Sequence, residues 1–198
     1  MSVSVRPYGP KAALVDVDSA VEAAALADWA RVHGVVADEI VPAAATVLFD
    51  GVDATALEAV LTGWRAGSAP AAGAFVEIPV AFDGPDLADV AARWGVSADE
   101  VVARLASYEL TSAFCGFAPG FAYLAGLPQE LAVPRLETPR ARVEPGSVAL
   151  AGSWCGIYPS ASPGGWRVVG RTDVVLWDVD AEPPALLAPG TRVRLRPC

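Results

Sequence analysis

Beyond residue 110 the sequence keeps returning to short runs with a hydrophobic period of two, at residues 110–115, 147–151, 166–169, 173–177 and 191–195. Pro145-Gly146, Pro163-Gly164 and Pro189-Gly190 separate them. In such dipeptides proline fixes one turn residue and glycine frees the next. Many short strands at turn-punctuated spacing leave exposed edges unless the sheet curls onto itself. The pattern therefore predicts a closed or nearly closed β-barrel.

The stretch before it has a different character. Residues 1–109 carry 6 basic and 16 acidic side chains, whereas residues 110–198 carry 8 and 7. The first part is rich in alanine and alternates strand-like with helix-like runs. Residues 12–17 read as a strand, and Ser19-x-x-Glu22 has the spacing of a capping box. The helix it opens is expected to bury Val21, Leu26, Trp29 and Val32 and to stop at Gly34. Residues 35–41 and 46–49 read as two strands around Pro42, followed by an Asp50-Gly51 turn. Asp53 or Thr55 then caps a helix presenting Leu57, Val60, Leu61 and Trp64. Small residues at 67–73 form a linker, and 75–80 reads as a further strand. The order β-α-β-β-α-β predicts a ferredoxin-like α/β sandwich over residues 1–81.

Residues 82–198 form the second predicted domain, a helical connector leading into the barrel. Pro85 suits a first helical turn, ahead of Leu87, Val90 and Ala91, with Gly95 as the stop. Ser97-x-x-Glu100 opens another helix through Val101, Val102 and Leu105. The fold class is thus α+β.

Composition narrows the chemistry. The chain has 198 residues, 54% of them hydrophobic, and a net charge of −9. That acidity argues against nucleic acid or an anionic membrane as partner. No apolar run approaches the ~18 residues of a membrane helix, and Met1-Ser2-Val3 begins no signal peptide, so a cytoplasmic protein is expected. Cys115, Cys155 and Cys198 are not spaced as a disulfide framework or a zinc site, and no metal is expected. The single histidine, His33, stands beside the Gly34 stop, where histidine stabilises a helix C-terminus. No histidine follows it, so no Ser-His-Asp or Cys-His group can form in the second domain. The single lysine, Lys11, lies outside any glycine-rich phosphate loop. No catalytic residue is assigned.

What remains is a dense run of glycine, proline and aromatic residues from Phe114 to Thr172. Two readings fit it: a rigid wall with backbone N–H groups and arginines facing a ligand, or turns between barrel strands with solvated arginines. Arg135, Arg140 and Arg171 are the candidate two-pronged donors for a carboxylate or phosphate.

The run also carries a resemblance. Gly116-Phe117-x-Pro119-Gly120-Phe121-x-Tyr123-Leu124, Pro134-Arg135, Thr138-Pro139-Arg140, Gly146-Ser147-Val148, Gly156-x-Tyr158-Pro159, Ser162-Pro163-Gly164-Gly165-Trp166 and Gly170-Arg171-Thr172 follow one another. That order resembles the allophanate hydrolase subunit 1 family, also known as the 5-oxoprolinase B-subunit family and as Kip-type kinase inhibitors. The likeness is specific from about Phe82 onward.

The resemblance implies a cyclophilin-like barrel and a heteromer with a subunit 2 homologue, joined by a third subunit in 5-oxoprolinases. It implies a subunit of an amide- or lactam-processing hydrolase, foremost an ATP-dependent 5-oxoprolinase converting 5-oxoproline to glutamate. ATP would be used by the assembled complex, with no cofactor bound covalently to this chain. Alternatives are an inhibitor docking on a sensor histidine kinase, or the carboxyltransferase part of a biotin-dependent urea carboxylase, where biotin would enter. By the same resemblance Arg135, Arg140 and Arg171 would recognise an anion. Tyr158, Ser162, Gly164 and Gly165 would add hydrogen bonds, and Phe117, Phe121 and Tyr123 an apolar wall. Allophanate-splitting amidases use a Ser-Ser-Lys group, and the chain offers no such stretch, so it is not expected to hydrolyse allophanate. With no histidine in the second domain and no lysine-based phosphate loop, the isolated chain is expected to be inactive. Many relatives carry a histidine near the position of Leu105, either as a substrate contact or as a packing residue. The amphipathic helix there favours packing.

Overall fold

A computed structural model describes residues 4–65 and 73–198, in two compact units, Met1–Ala72 and Gly73–Cys198. The first unit runs β1 (Ser4–Pro7), β2 (Ala12–Asp16), α1 (Ala20–Val32), β3 (Glu39–Pro42), β4 (Thr46–Asp50) and α2 (Ala54–Leu61). Its sheet has the order β1-β2-β4-β3, each neighbouring pair antiparallel. Strands β2 and β3 therefore run parallel with β4 between them, which is the split βαβ of a ferredoxin-like sandwich. The fourth strand differs from expectation. Residues 75–80 are the strand that the sequence pattern offers, but Ser4–Pro7 occupies that edge, tied by a two-pronged Arg6–Asp16 contact at 2.6 and 2.7 Å. Proline is tolerated there because an outer edge needs no ladder donor.

Helix α1 starts as its capping box predicts, with the Ser19 hydroxyl accepting from the Glu22 N–H at 3.2 Å. The Glu22 carboxylate accepts in return from the Asp18 N–H at 2.8 Å, one residue earlier than the pattern implies. The buried face matches the expectation in part: Leu26 is buried and Trp29 packs partly against the same core. Val21 and Val32 are exposed, and Ala23, Leu26, Ala27 and Ala30 face the sheet. Small side chains three and four apart let the helix lie close on the β-strands, and they pack there with Val15, Val47 and Phe49. His33 caps the helix, its ring stacked on Trp29 at 4.2 Å and its Nδ1 2.8 Å from the Trp29 carbonyl.

The second unit adds β5 (Phe75–Val80), α3 (Leu87–Trp94), α4 (Ala98–Ser107), β6 (Leu110–Cys115), β7 (Ala122–Ala125), β8 (Arg140–Val143), β9 (Ser147–Ala151), β10 (Trp154–Ile157), β11 (Ser162–Gly164), β12 (Arg167–Arg171) and β13 (Arg192–Pro197). Seven strands form one sheet in the order β12-β9-β10-β7-β6-β13-β5. Strand β5 pairs in parallel with β13 over six residues, Phe75 opposite Arg192 through Val80 opposite Pro197. This pairing moves residues 75–80 out of the first domain, so the expected boundary after residue 81 shifts to residue 72. A period-two run does not say which sheet receives it. Ile78 and Val80 decide the matter by burying in the second core.

The outer strands of this sheet meet. Ala81 and Arg171 exchange two backbone hydrogen bonds at 2.9 Å, and the Gly84 N–H donates to the Val169 carbonyl at 3.1 Å. The barrel is thereby closed along a seam between β12 and the segment after β5. Helices α3 and α4 pack against the barrel through Val90, Ala91, Val101 and Leu105. Leu105 is fully buried there, a packing position as its helix suggested. Residues 173–177 form no strand beyond one bridge, Trp177 to Ala185. Among the described residues no helix is long and apolar enough to cross a membrane.

Candidate functional site

Strand β9 is buried on both faces. Val148 and Leu150 point into the barrel, while Ala149 and Ala151 face outward into a separate cluster with Phe121, Tyr158, Trp166 and Val168. The outward residues are small for a reason. A Cβ at Gly156 would lie 2.8 Å from Phe121 and 2.9 Å from Trp166, so only glycine leaves both rings their place. The rings of Phe121, Tyr123, Tyr158 and Trp166 meet edge to face, with centroids 5.2–5.6 Å apart. Such contacts fix orientation as well as exclude water. The β8–β11 ribbon borders the cluster, with Val143 packed into it.

A cavity of about 270 Å³ opens on these rings. Phe117, Phe121, Tyr123, Arg135, Tyr158, Gly164 and Gly165 line it, so seven of the ten expected site residues come together. Trp166, Pro139 and Pro163 complete the lining. Trp166 is absent from the residues expected at the site, although a tryptophan directly after paired glycines is the signal that identifies it. A Cβ at Gly164 would collide with the Tyr158 hydroxyl, which explains that glycine. Burial pushes the Tyr158 phenol above its ordinary value, with the Trp166 backbone and the Arg135 and Arg140 charges acting in the opposite direction.

The three arginines separate. Arg140 makes a two-pronged contact with Asp86, both distances 2.8 Å, and does not line the cavity. That contact pushes the guanidinium further up in pKa. The Asp86 carboxylate also accepts from the Val168 N–H at 2.7 Å. Arg171 lies at the barrel seam, exposed and paired with Asp83 at 3.0 Å. Arg135 is different. Among the described residues it is the only arginine with neither an ion pair nor a hydrogen bond, and its guanidinium stands 5.9 Å from the Trp166 ring centroid at the cavity rim. Ser162 sits on β11 outside the lining, its Oγ buried without a partner.

The segment carrying Arg135 is held on both sides. Buried Arg167 donates to the Pro134 carbonyl at 2.9 Å and pairs with Asp89. The Leu136 N–H donates to the Gly165 carbonyl at 2.7 Å, and the Arg140–Asp86 pair fixes the far end. Arg140 thus positions the wall that Arg135 uses. Another part of the lining, at Phe117, is strained. Phe117 has φ +69°, and the Ala118 N–H donates back to the Gly116 carbonyl at 2.8 Å. This is a γ-turn of the rare hand, costing about 1–3 kcal/mol for a residue with a side chain. Phe117 lines the cavity and is itself 61% exposed.

The site can hold a small ring against aromatic faces and meet one negative charge with Arg135. Among the described residues no group of three His, Cys, Asp or Glu side chains is placed to hold a metal ion. The thiols lie outside the cavity lining. Cys155 is fully buried, its pKa pushed up to about 12 by burial, and burial also raises Cys115. At pH 8 a disulfide reagent is therefore expected to titrate one thiol rapidly, the exposed Cys198, and all three only in denaturant. Rapid reaction of two thiols in the native chain would contradict this.

Comparison with known proteins gives these motifs a context. The family described as carboxyltransferase domain, subdomains C and D, matches residues 3–187. The chain is 47% identical over 126 residues to a protein of Escherichia coli O157:H7 named as the B subunit of 5-oxoprolinase, covering 62% of this chain and 58% of that one. A protein of the same name from Bacillus subtilis (strain 168) is 40% identical over 122 residues, covering 60% and 51%. The match thus spans somewhat more than half the length of these curated relatives. Among solved structures, TTHA0988 superposes with a TM-score of 0.78 at 32% identity, over 96% of this chain and 40% of that one. PH0987 from Pyrococcus horikoshii gives 0.58 at 31%, over 98% and 97%. The K. lactis urea amidolyase, at 0.69 and 19% identity over 99% of this chain and 15% of that one, shares the fold alone.

Proposed function

Because the chain belongs to the family of carboxyltransferase domains, subdomains C and D, we propose that it is a subunit of a heteromeric, ATP-dependent 5-oxoprolinase that opens 5-oxoproline to glutamate. The observation that carries this reading is its 47% identity to a protein named as the B subunit of 5-oxoprolinase. The cavity supports it. A five-membered lactam bearing one carboxylate suits aromatic walls with a single unpaired guanidinium at the rim. In this reading Arg135 holds the carboxylate and Phe121, Tyr123 and Trp166 enclose the ring.

The subunit works with a subunit 2 homologue and a third subunit, in the cytoplasm. Ring opening adds water across the amide bond and couples that step to ATP. The cavity's donor set does not fit a nucleoside triphosphate, since it offers one cation and no carboxylate to hold Mg²⁺. ATP therefore belongs to the assembled complex rather than to this cavity. No histidine, lysine or reactive thiol stands at the cavity, so the isolated chain is inactive. Nothing specific to this chain favours biotin chemistry or kinase docking over this reading.

The test is coexpression with the neighbouring subunits and purification by a tag on this chain. The purified complex is expected to form glutamate from 5-oxoproline only with ATP, while this chain alone forms none. Turnover by the isolated chain, or none by the complex, would overturn the assignment.

A further inference from the structure

Phe117 has a conformation that its own packing does not justify. Its backbone is left-handed, at φ +69°, where an L side chain crowds the following carbonyl. The residue remains 61% exposed, and its ring meets those of Phe121 and Tyr158 edge to face at centroid distances of 5.2 and 6.2 Å. A core position would offset the strain by burial, and this one does not. The loop nonetheless leaves no route to relax. Pro119-Gly120 forms a tight turn closed by the Phe121 N–H donating to the Ala118 carbonyl at 3.0 Å, and the Gly116 N–H donates to the Phe121 carbonyl at 3.2 Å. Gly120, at φ +82°, is pressed against Trp177, whose Cβ would stand 2.7 Å from any side chain added there. The frame therefore over-determines the γ-turn, and the turn holds an aromatic ring in the lining of the cavity that Arg135 also lines.

We infer that Phe117 is a specificity-determining residue of this cavity, held under strain so that its ring closes over a planar or cyclic anion whose charge Arg135 meets. The inference rests on the proposed ligand site but not on the identity of the substrate. Strain that persists only because a rigid frame enforces it is expected at ligand-contacting positions. Phe117→Gly would relieve the strain and remove the ring. Phe117→Ala would remove the ring and keep the strain. The pair separates the two effects.

The test titrates the chain and its Phe117→Gly and Phe117→Ala variants with benzoate, a planar carboxylate, and with 5-oxoproline, reading tryptophan fluorescence, which Trp166 in the cavity wall reports. Both variants are expected to bind the probes about five- to tenfold more weakly than the unmodified chain. Phe117→Gly is expected to melt about 2–4 °C above Phe117→Ala. Equal affinity in all three chains, equal melting of the two variants, or no binding of either probe to the unmodified chain would overturn the inference. Benzoate binding that depends on Phe117, in a chain whose complex fails to turn over 5-oxoproline, would refute the functional reading alone.

Discussion

Replacing Asp86 with alanine is expected to destabilise the barrel unit by about 2–4 kcal/mol and lower its melting temperature by roughly 5–15 °C. Asp86 is only 7% exposed, and its two oxygens accept three hydrogen bonds, two from the Arg140 guanidinium and one from the Val168 N–H. Removing it leaves a largely buried amide and a partly buried charge without partners, and unmet buried groups cost more than the net value of the bonds lost. The loss falls on one junction, because Asp86 begins α3, Val168 belongs to β12 and Arg140 to β8. Arg140→Ala is expected to cost less, since it leaves the Val168 contact intact. The double variant is expected to be more stable than the sum of the two losses. Thermal melts of the three variants check this. A melting temperature for Asp86→Ala within about 2 °C of the unmodified chain would mean that the junction is not held in this way.

The same residues show where sequence reading stops. Arg135 and Arg140 look alike in the chain, each directly after a proline, and Arg171 follows a glycine. What distinguishes them lies far off in sequence, with Asp86 54 positions before Arg140 and Asp83 88 before Arg171. Local spacing carries no record of such partners. Capping, by contrast, is local, and Ser19 and Ser97 both accept the hydrogen bonds their spacing implies. Strand β6 matches its expected limits at Leu110–Cys115, and β9 at Ser147–Ala151. Residues 75–80 are legible as a strand but not as a neighbour of β13, because parallel pairing across more than a hundred residues is a property of the folded chain. Ser4–Pro7 is too short to announce itself. On α1 the valines stand out by their hydrophobicity, yet the sheet accepts the alanines through their size. The aromatic cluster is legible as a composition, Gly-Phe-x-Pro-Gly-Phe and Gly-Gly-Trp. Its enclosure of a cavity depends on Gly156 and Ala149 being small on the outer face of the barrel.

Arg135 carries the second large effect. Its guanidinium is unpaired at the rim of an aromatic cavity, so it is available to a ligand without breaking any bond within the chain. A charge-assisted hydrogen bond contributes roughly 1.5–3 kcal/mol, equivalent to about 10- to 150-fold in apparent affinity. Arg135→Ala is expected to lower the kcat/KM of the assembled complex by that factor with little change in melting temperature, because Arg135 holds no element of the fold in place. Arg135→Lys keeps the charge but loses the planar two-pronged donor, so it is expected to recover only part of the loss. Arg171 serves as the internal comparison, an exposed arginine already paired with Asp83. The decisive measurement is ATP-dependent glutamate formation by complexes carrying Arg135→Ala or Arg171→Ala, beside the unmodified complex. A loss of at least tenfold for Arg135→Ala, with Arg171→Ala within about twofold of the unmodified complex, is the predicted result. Unchanged kcat/KM in the Arg135→Ala complex would contradict the assignment of this cavity as the ligand site.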